Sequence, residues 1–127
     1  MAENKLEVHL VTPEREVWTG EADMVIARTT EGDLGVLRGH APLLGKLKIS
    51  ALAIRNGNDT QRAAVDSGFL HVKDDRVDIL GERAELEHEI DVEQARRRRD
   101  EAASRVDEDE YYRAELAKAD VRLGLTG

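Results

Sequence analysis

The 127 residues suffice for one ordinary domain, or one domain with an appendage, and are too few for two full cores. Charged side chains make up 36% of the chain and the formal net charge is -8, a field that repels a phosphate backbone and argues against nucleic acid as a partner. The absence of cysteine excludes disulfide scaffolds and thiolate metal sites, and with only Trp18, Phe69, Tyr111 and Tyr112 as aromatics the core must be built from Val, Leu, Ile and Ala.

The opening segment MAENKLEVHLV carries no apolar run of signal-peptide length, and no later stretch approaches the ~20 apolar residues that cross a bilayer. The expectation is a soluble protein of the cytosol. Up to residue 89 apolar and polar residues alternate: Leu6, Val8 and Leu10 against Glu7 and His9, then Val77 and Ile79 against Asp78. Turn signals punctuate these runs at Thr12-Pro13, Thr19-Gly20, Glu31-Gly32, Asn56-Gly57, Ser67-Gly68 and Asp74-Asp75. Short strands at such spacing predict a sandwich or barrel.

Residues 31–45, EGDLGVLRGHAPLLG, hold Gly32, Gly35, Gly39 and Gly45 together with His40 and Pro42. The glycine spacing fits neither Gly-x-Gly-x-x-Gly nor the Walker pattern, and no helix follows, so a phosphate cradle is disfavoured. His40 has no Gly-x-Ser-x-Gly nucleophile to serve, and an acid/base pair of Asp33 and His40 is the weakest of the functional readings. His9, His40, His71 and His88 are dispersed singly, which predicts no metal site. What the stretch does encode is shape: a stiff, exposed loop with Asp33 and His40 at its polar ends, of the kind that serves a partner.

From Asp91 to Gly124 glycine and proline vanish, and Ala, Glu, Arg and Leu predominate. Asp91 is placed to N-cap a helix starting at Val92, with Val92, Ala95, Ala102 and Val106 as a thin apolar stripe and acid/base pairs at i,i+4 on the other side. A second helix follows VDEDE, with Tyr112, Leu116, Ala119 and Leu123 on one face. The pair forms an antiparallel hairpin turning near 107–109, and so little apolar surface predicts that it is weakly held. The organisation expected is a β-sandwich at 1–89 followed by a two-helix hairpin at 90–127.

On these residues a family resemblance becomes legible. EGDLGVLRGHAPLLGKL resembles the EG-x-x-G-[IV]-L-PGHAPLL-x-x-L signature of the epsilon subunit of F-type ATP synthase, and AVDSGFLHVKDDRVDILGERAE resembles the family's last strands. The resemblance implies about ten strands in the sandwich and a non-catalytic role on the central rotor, bound to the gamma subunit and the c ring at the cytoplasmic face of the bacterial plasma membrane. The membrane is then met only through the complex. It also implies a hairpin that either folds onto the sandwich or extends toward the catalytic head and restrains ATP hydrolysis.

Carried over by position, Asp33, Arg38 and His40 are candidates for contact with the c ring, although Asp33 as a turn acid and His40 as a loop brace are equally good readings. Lys118 and Arg122 are candidates for the beta subunit in the extended state; a solvated basic face is the commoner role for such a pair. The chain departs from the signature at Arg38, where proline is usual. It departs again at Ile90-Asp91-Val92-Glu93-Gln94-Ala95, where ATP-binding members carry Ile-Asp-x-x-Arg-Ala, so a nucleotide site built on Asp91, Gln94 and Ala95 lacks its arginine. No cofactor is expected. The alternative is a free-standing acidic adaptor of another complex.

Overall fold

The computed structural model describes residues 5–126; the outermost residues of both expected segments, 1–4 and 127, lie outside them. Eight strands come first: β1 (Leu6–Val11), β2 (Glu16–Ala22), β3 (Met24–Thr29), β4 (Gly32–Leu37), β5 (Leu43–Asn56), β6 (Asp59–Lys73), β7 (Arg76–Gly81) and β8 (Ala84–Leu86). A single 3-10 turn (Glu87–Glu89) leads into α1 (Val92–Ala103) and α2 (Glu110–Thr126). The β-sandwich followed by two helices is the architecture that the alternation and the change of periodicity predict.

The strands form a continuous sheet in the order β2-β1-β7-β6-β5-β3-β4, with β8 on β6 away from that path. Among the described residues only β1 and β7 pair in parallel. The two long strands belong to both layers: the C-terminal half of β6 pairs with β7 from Gly68 to Lys73, while its N-terminal half pairs with β8 from Ala63 to Val65. Counting each half of β5 and β6 separately reconciles eight observed strands with about ten expected ones. The bend in β6 falls at Ser67 (φ 68°) and Gly68 (φ 145°), inside a strand rather than at the turn expected there.

Alternation puts Leu6, Val8 and Leu10 of β1 wholly inside, with Val77 and Ile79 of β7 beside them, while Glu7 and His9 face outward and bond to each other at 2.7 Å. Ala63, Ala64, Val65 and Asp66 of β6 are buried in succession, which is possible only for a strand covered on both faces. Ala63 and Val65 belong to the sandwich core, whereas Ala64 and Asp66 lie on the opposite face, the one α2 packs against.

The helix start is as the sequence predicts: Asp91 caps α1 and its carboxylate accepts the Gln94 amide at 3.0 Å. Ala95 and Ala102 are buried, but α1 ends at Ala103, so Val106 lies in the connection rather than on the stripe. On α2, Ala119 is buried and Tyr112, Leu116 and Leu123 are half-buried. One expected acid/base pair forms at i,i+4, Glu101 with Arg105 at 4.0 Å, while Glu93 takes Arg96 at i,i+3 instead.

The largest correction concerns 31–45. The expected stiff loop is mostly strand: Gly32–Leu37 is β4, an edge strand paired with β3, and only 38–42 connects it to β5. Leu34 and Val36 point inward and supply the burial that makes this glycine-rich run a strand.

Candidate functional site

The strand assignment separates the loop's two polar ends. Asp33 sits at the start of β4, exposed and 3.6 Å from Arg28 across the ladder, while His40 lies beyond the other end of the same strand. At about 3.4 Å per residue the four steps from Asp33 to Leu37 alone span roughly 14 Å, so the two cannot act as one acid/base pair. His40 Nδ1 donates to the Ala41 carbonyl oxygen at 2.7 Å, which ties the ring to its own loop. Arg38 is not a free cation: its Nε lies 3.6 Å from the Asp75 carboxylate, whose other oxygen accepts the Gly39 amide at 2.6 Å. Asp75 (φ 62°) thus anchors the 38–42 connection to the β6–β7 turn.

Of Lys118 and Arg122, the candidates for the beta subunit whose commoner alternative was a solvated face, Arg122 is buried against the sandwich. Its side chain is 8% exposed, and its guanidinium grips the carboxylate of Asp66 of β6, a side chain 4% exposed, with two bonds of 2.8 and 3.0 Å. Nε donates to Glu85 of β8 at 2.6 Å, and Nη1 also donates to the Lys118 carbonyl oxygen at 3.0 Å. Burial works to lower the Arg122 pKa, but the hydrogen bonds it donates to Asp66 and Glu85 together outweigh it and hold the guanidinium firmly charged. Lys118 bonds Glu115 at 2.9 Å on its own helix.

A cleft of about 480 Å³ opens between hairpin and sandwich. Asp91, Gln94 and Ala95 do line it, together with Arg83, Arg98 and the Tyr111–Tyr112 pair, whose rings meet edge to face at 5.1 Å. Arg105 stacks over Tyr112, 4.4 Å from the ring centre. The carboxylates of Asp66, Glu85, Asp91, Glu101 and Glu115 share this cleft with the cations of Arg83, Arg98, Lys118 and Arg122. Arg122 and Lys118 are already paired, and among the described residues Arg83 and Arg98 make no side-chain bond to an acid. The described residues contain no group of His, Asp and Glu spaced to hold a metal.

Sequence reasoning missed the outer face of the sheet. Phe69 of β6 and Leu80 of β7 are direct register partners, both about half exposed at 51% and 52%, and Leu44 of β5, 69% exposed, stands opposite His71, one step along the same face. Val11 of β1 continues the row beside Leu80. The adjoining row is polar, with Asp78 between His71 and His9 in the ladder. Arg76 bridges Glu7 at 3.2 Å and Asp78 at 3.1 Å. The hydrogen bond from His9 holds the Glu7 carboxyl below its ordinary value, with Arg76 assisting. The signal was present as apolar side chains in outward register, Phe69 before Leu70 and Leu80 after Ile79, in strands whose alternation otherwise places polar residues outside.

At the junction with the hairpin Arg15, between β1 and β2, takes both oxygens of Glu89 at 2.8 and 2.9 Å. These bonds lower the Glu89 pKa, helped by the Leu86 amide.

Fold and surfaces together define a class: a β-sandwich with one exposed apolar sheet face, carrying a helical hairpin clasped to its other side. The sequence matches the family described as ATP synthase, Delta/Epsilon chain, beta-sandwich domain over residues 5–87. The ATP synthase epsilon chain of Streptomyces griseus is 48% identical over 120 residues, covering 94% of this chain and 93% of that one. That of Thermobifida fusca is 48% identical over 124 residues, covering 94% and 90%. Among solved structures, a chain of the Euglena gracilis mitochondrial ATP synthase, from the OSCP/F1/c-ring assembly in rotational state 1, superposes with a TM-score of 0.73 at 26% identity, covering 94% of this chain and 76% of that one. The chain belongs to the ATP synthase delta/epsilon family.

Proposed function

We propose that this protein is the epsilon subunit of a bacterial F-type ATP synthase, a non-catalytic part of the central rotor that couples c-ring rotation to ATP synthesis in the catalytic head. The observation that carries the reading is the exposed apolar patch on the outer sheet face, where Phe69 and Leu80 pair directly and Leu44 stands in the next row, in a chain similar to epsilon chains along nearly its whole length. Exposed apolar side chains gathered on one sheet face mark a docking surface, and gamma is the partner that the reading assigns to it. The 38–42 connection, held rigid by Asp75, presents His40 to the polar loops of the c ring, with Asp33 contributing from the far end of β4. The protein then sits at the cytoplasmic face of the plasma membrane and touches the bilayer only through the complex.

In this reading the hairpin is the regulatory element. Lys118 and Arg122 meet the beta subunit only after the hairpin leaves the sandwich, because in the docked form the Arg122 guanidinium is buried and engaged by Asp66, Glu85 and the Lys118 carbonyl oxygen. The test is recovery of a tagged chain from native membranes. Gamma and c subunits are expected with the wild type, and Phe69→Glu with Leu80→Glu should abolish gamma recovery while the variant still melts cooperatively. Asp33→Lys with His40→Ala should weaken only c-ring retention. Recovery of an unrelated complex would replace this reading with that of a free-standing adaptor.

A further inference from the structure

The hairpin is attached by an unusual balance of forces. Among the described residues of the two helices, the buried side chains are Ala95, Ala102, Ala119 and Arg122. The fully buried apolar side chains are three alanine methyls, the larger Tyr112, Leu116 and Leu123 are only half-buried, and the cleft of about 480 Å³ beside them shows that the helices do not close on the sandwich as a packed core would. Against this, Arg122 makes three hydrogen bonds to two carboxylates on two different strands, Asp66 of β6 and Glu85 of β8, and buried polar atoms left without a partner are absent among the described residues.

From this we infer that Arg122, Asp66 and Glu85 form a clasp that decides whether the hairpin is docked or released. A planar guanidinium suits the task because its fork meets one carboxylate side-on while Nε reaches a second, which a lysine ammonium on the same stem cannot reproduce. The cluster makes docking all-or-none. An ion pair out of water is favourable only while every member is in place, and removal of one leaves a buried charge uncompensated. Slight loosening of α2 therefore gains nothing; full release, which returns all three charges to water, is the alternative state. The docked geometry concerns the isolated chain, and only its regulatory meaning rests on the epsilon-subunit reading.

Hydrogen exchange on the full chain, read by mass spectrometry, tests the clasp. Arg122→Ala and Asp66→Asn should each speed exchange of the amides in 110–126 by about a hundredfold, Arg122→Lys by an intermediate factor, and amides of β1 and β7 should be unchanged. The double variant should be no faster than the faster single one, because both break one cluster. Should Asp66→Asn disturb the sandwich, the series Arg122, Lys and Ala at that single position decides alone. Equal exchange at 110–126 in wild type and Arg122→Ala, or effects that multiply in the double variant, would overturn the proposal. Neither readout depends on assembly with an ATP synthase, so failure of the partner reading leaves this test intact.

Discussion

Gly68 shows how much one residue can decide. Its φ of 145° lies where side chains are strained, and a Cβ there would stand 1.9 Å from the Leu80 carbonyl oxygen, a backbone atom that cannot move aside. Gly68→Ala is expected to cost about 3 kcal/mol or more, read as a fall in melting temperature of at least roughly 10 °C. Gly39, with φ of 83° and open space where a Cβ would go, carries only the backbone strain, so Gly39→Ala should cost about 1 kcal/mol. The sequence marked Ser67-Gly68 as a turn, whereas the glycine is needed for close strand approach at a corner. That distinction depends on Leu80, twelve positions on. Arg122 was legible only as half of a basic pair, because its partners lie 37 and 56 positions away and no local pattern links them. A pH effect also belongs to this scale. Glu89 has its folded-state pKa lowered from 4.5, first by Arg15, so the contribution of the link is present above about pH 4.5 and lost as pH falls through the lower folded value. Arg15→Gln should therefore be less stable than wild type near neutrality, with the two stability curves converging in acid. Parallel curves down to pH 3 would contradict this assignment.

At the scale of elements, the helix start was readable because capping is local: Asp91 and the Gln94 amide are three residues apart. Asp91→Ala should destabilise α1 by about 1 kcal/mol and speed exchange at its first turn, leaving the sandwich melt in place. The edge strand β4 was not readable, since its glycines suppress strand propensity and only pairing with β3 and burial of Val36 override it. Independence of the sandwich follows from where the core lies. Its buried cluster runs from Leu6 to Leu86 and includes no residue of either helix. A chain truncated after Ile90 is thus expected to unfold cooperatively, with one transition shared by near-UV and far-UV circular dichroism. A non-cooperative melt would show that the hairpin supplies more than its three buried alanines suggest.

At the scale of the whole molecule the deciding quantity is charge. The chain carries -8 overall, and the cleft that a nucleotide would enter is lined by Asp66, Glu85, Asp91, Glu101 and Glu115 against four cations, two of which are already engaged. Asp91 is occupied with the Gln94 amide, and Gln94 offers no charge to a phosphate. Arg83 and Arg98 are the cations left to hold a triphosphate, and each charge-assisted hydrogen bond that is missing removes about 1.5 to 3 kcal/mol, or one to two decades of affinity. Weak binding is the consequence: millimolar ATP should leave the melting temperature of the isolated chain unchanged and should not perturb the backbone signals of Asp91, Gln94 and Ala95. Gln94→Arg is the first substitution expected to restore binding, because it adds a third unengaged cation to the cleft, beside Arg83 and Arg98, on the turn of α1 nearest Asp91. Saturable binding by the unaltered chain below about 0.1 mM, worth more than roughly 5 kcal/mol, would overturn the argument. It would mean that Arg83 and Arg98 outweigh Asp91 and Glu101, the lining carboxylates not paired to Arg122 or Lys118, and that a ligand lodged beside Arg122 sets the lifetime of the docked hairpin.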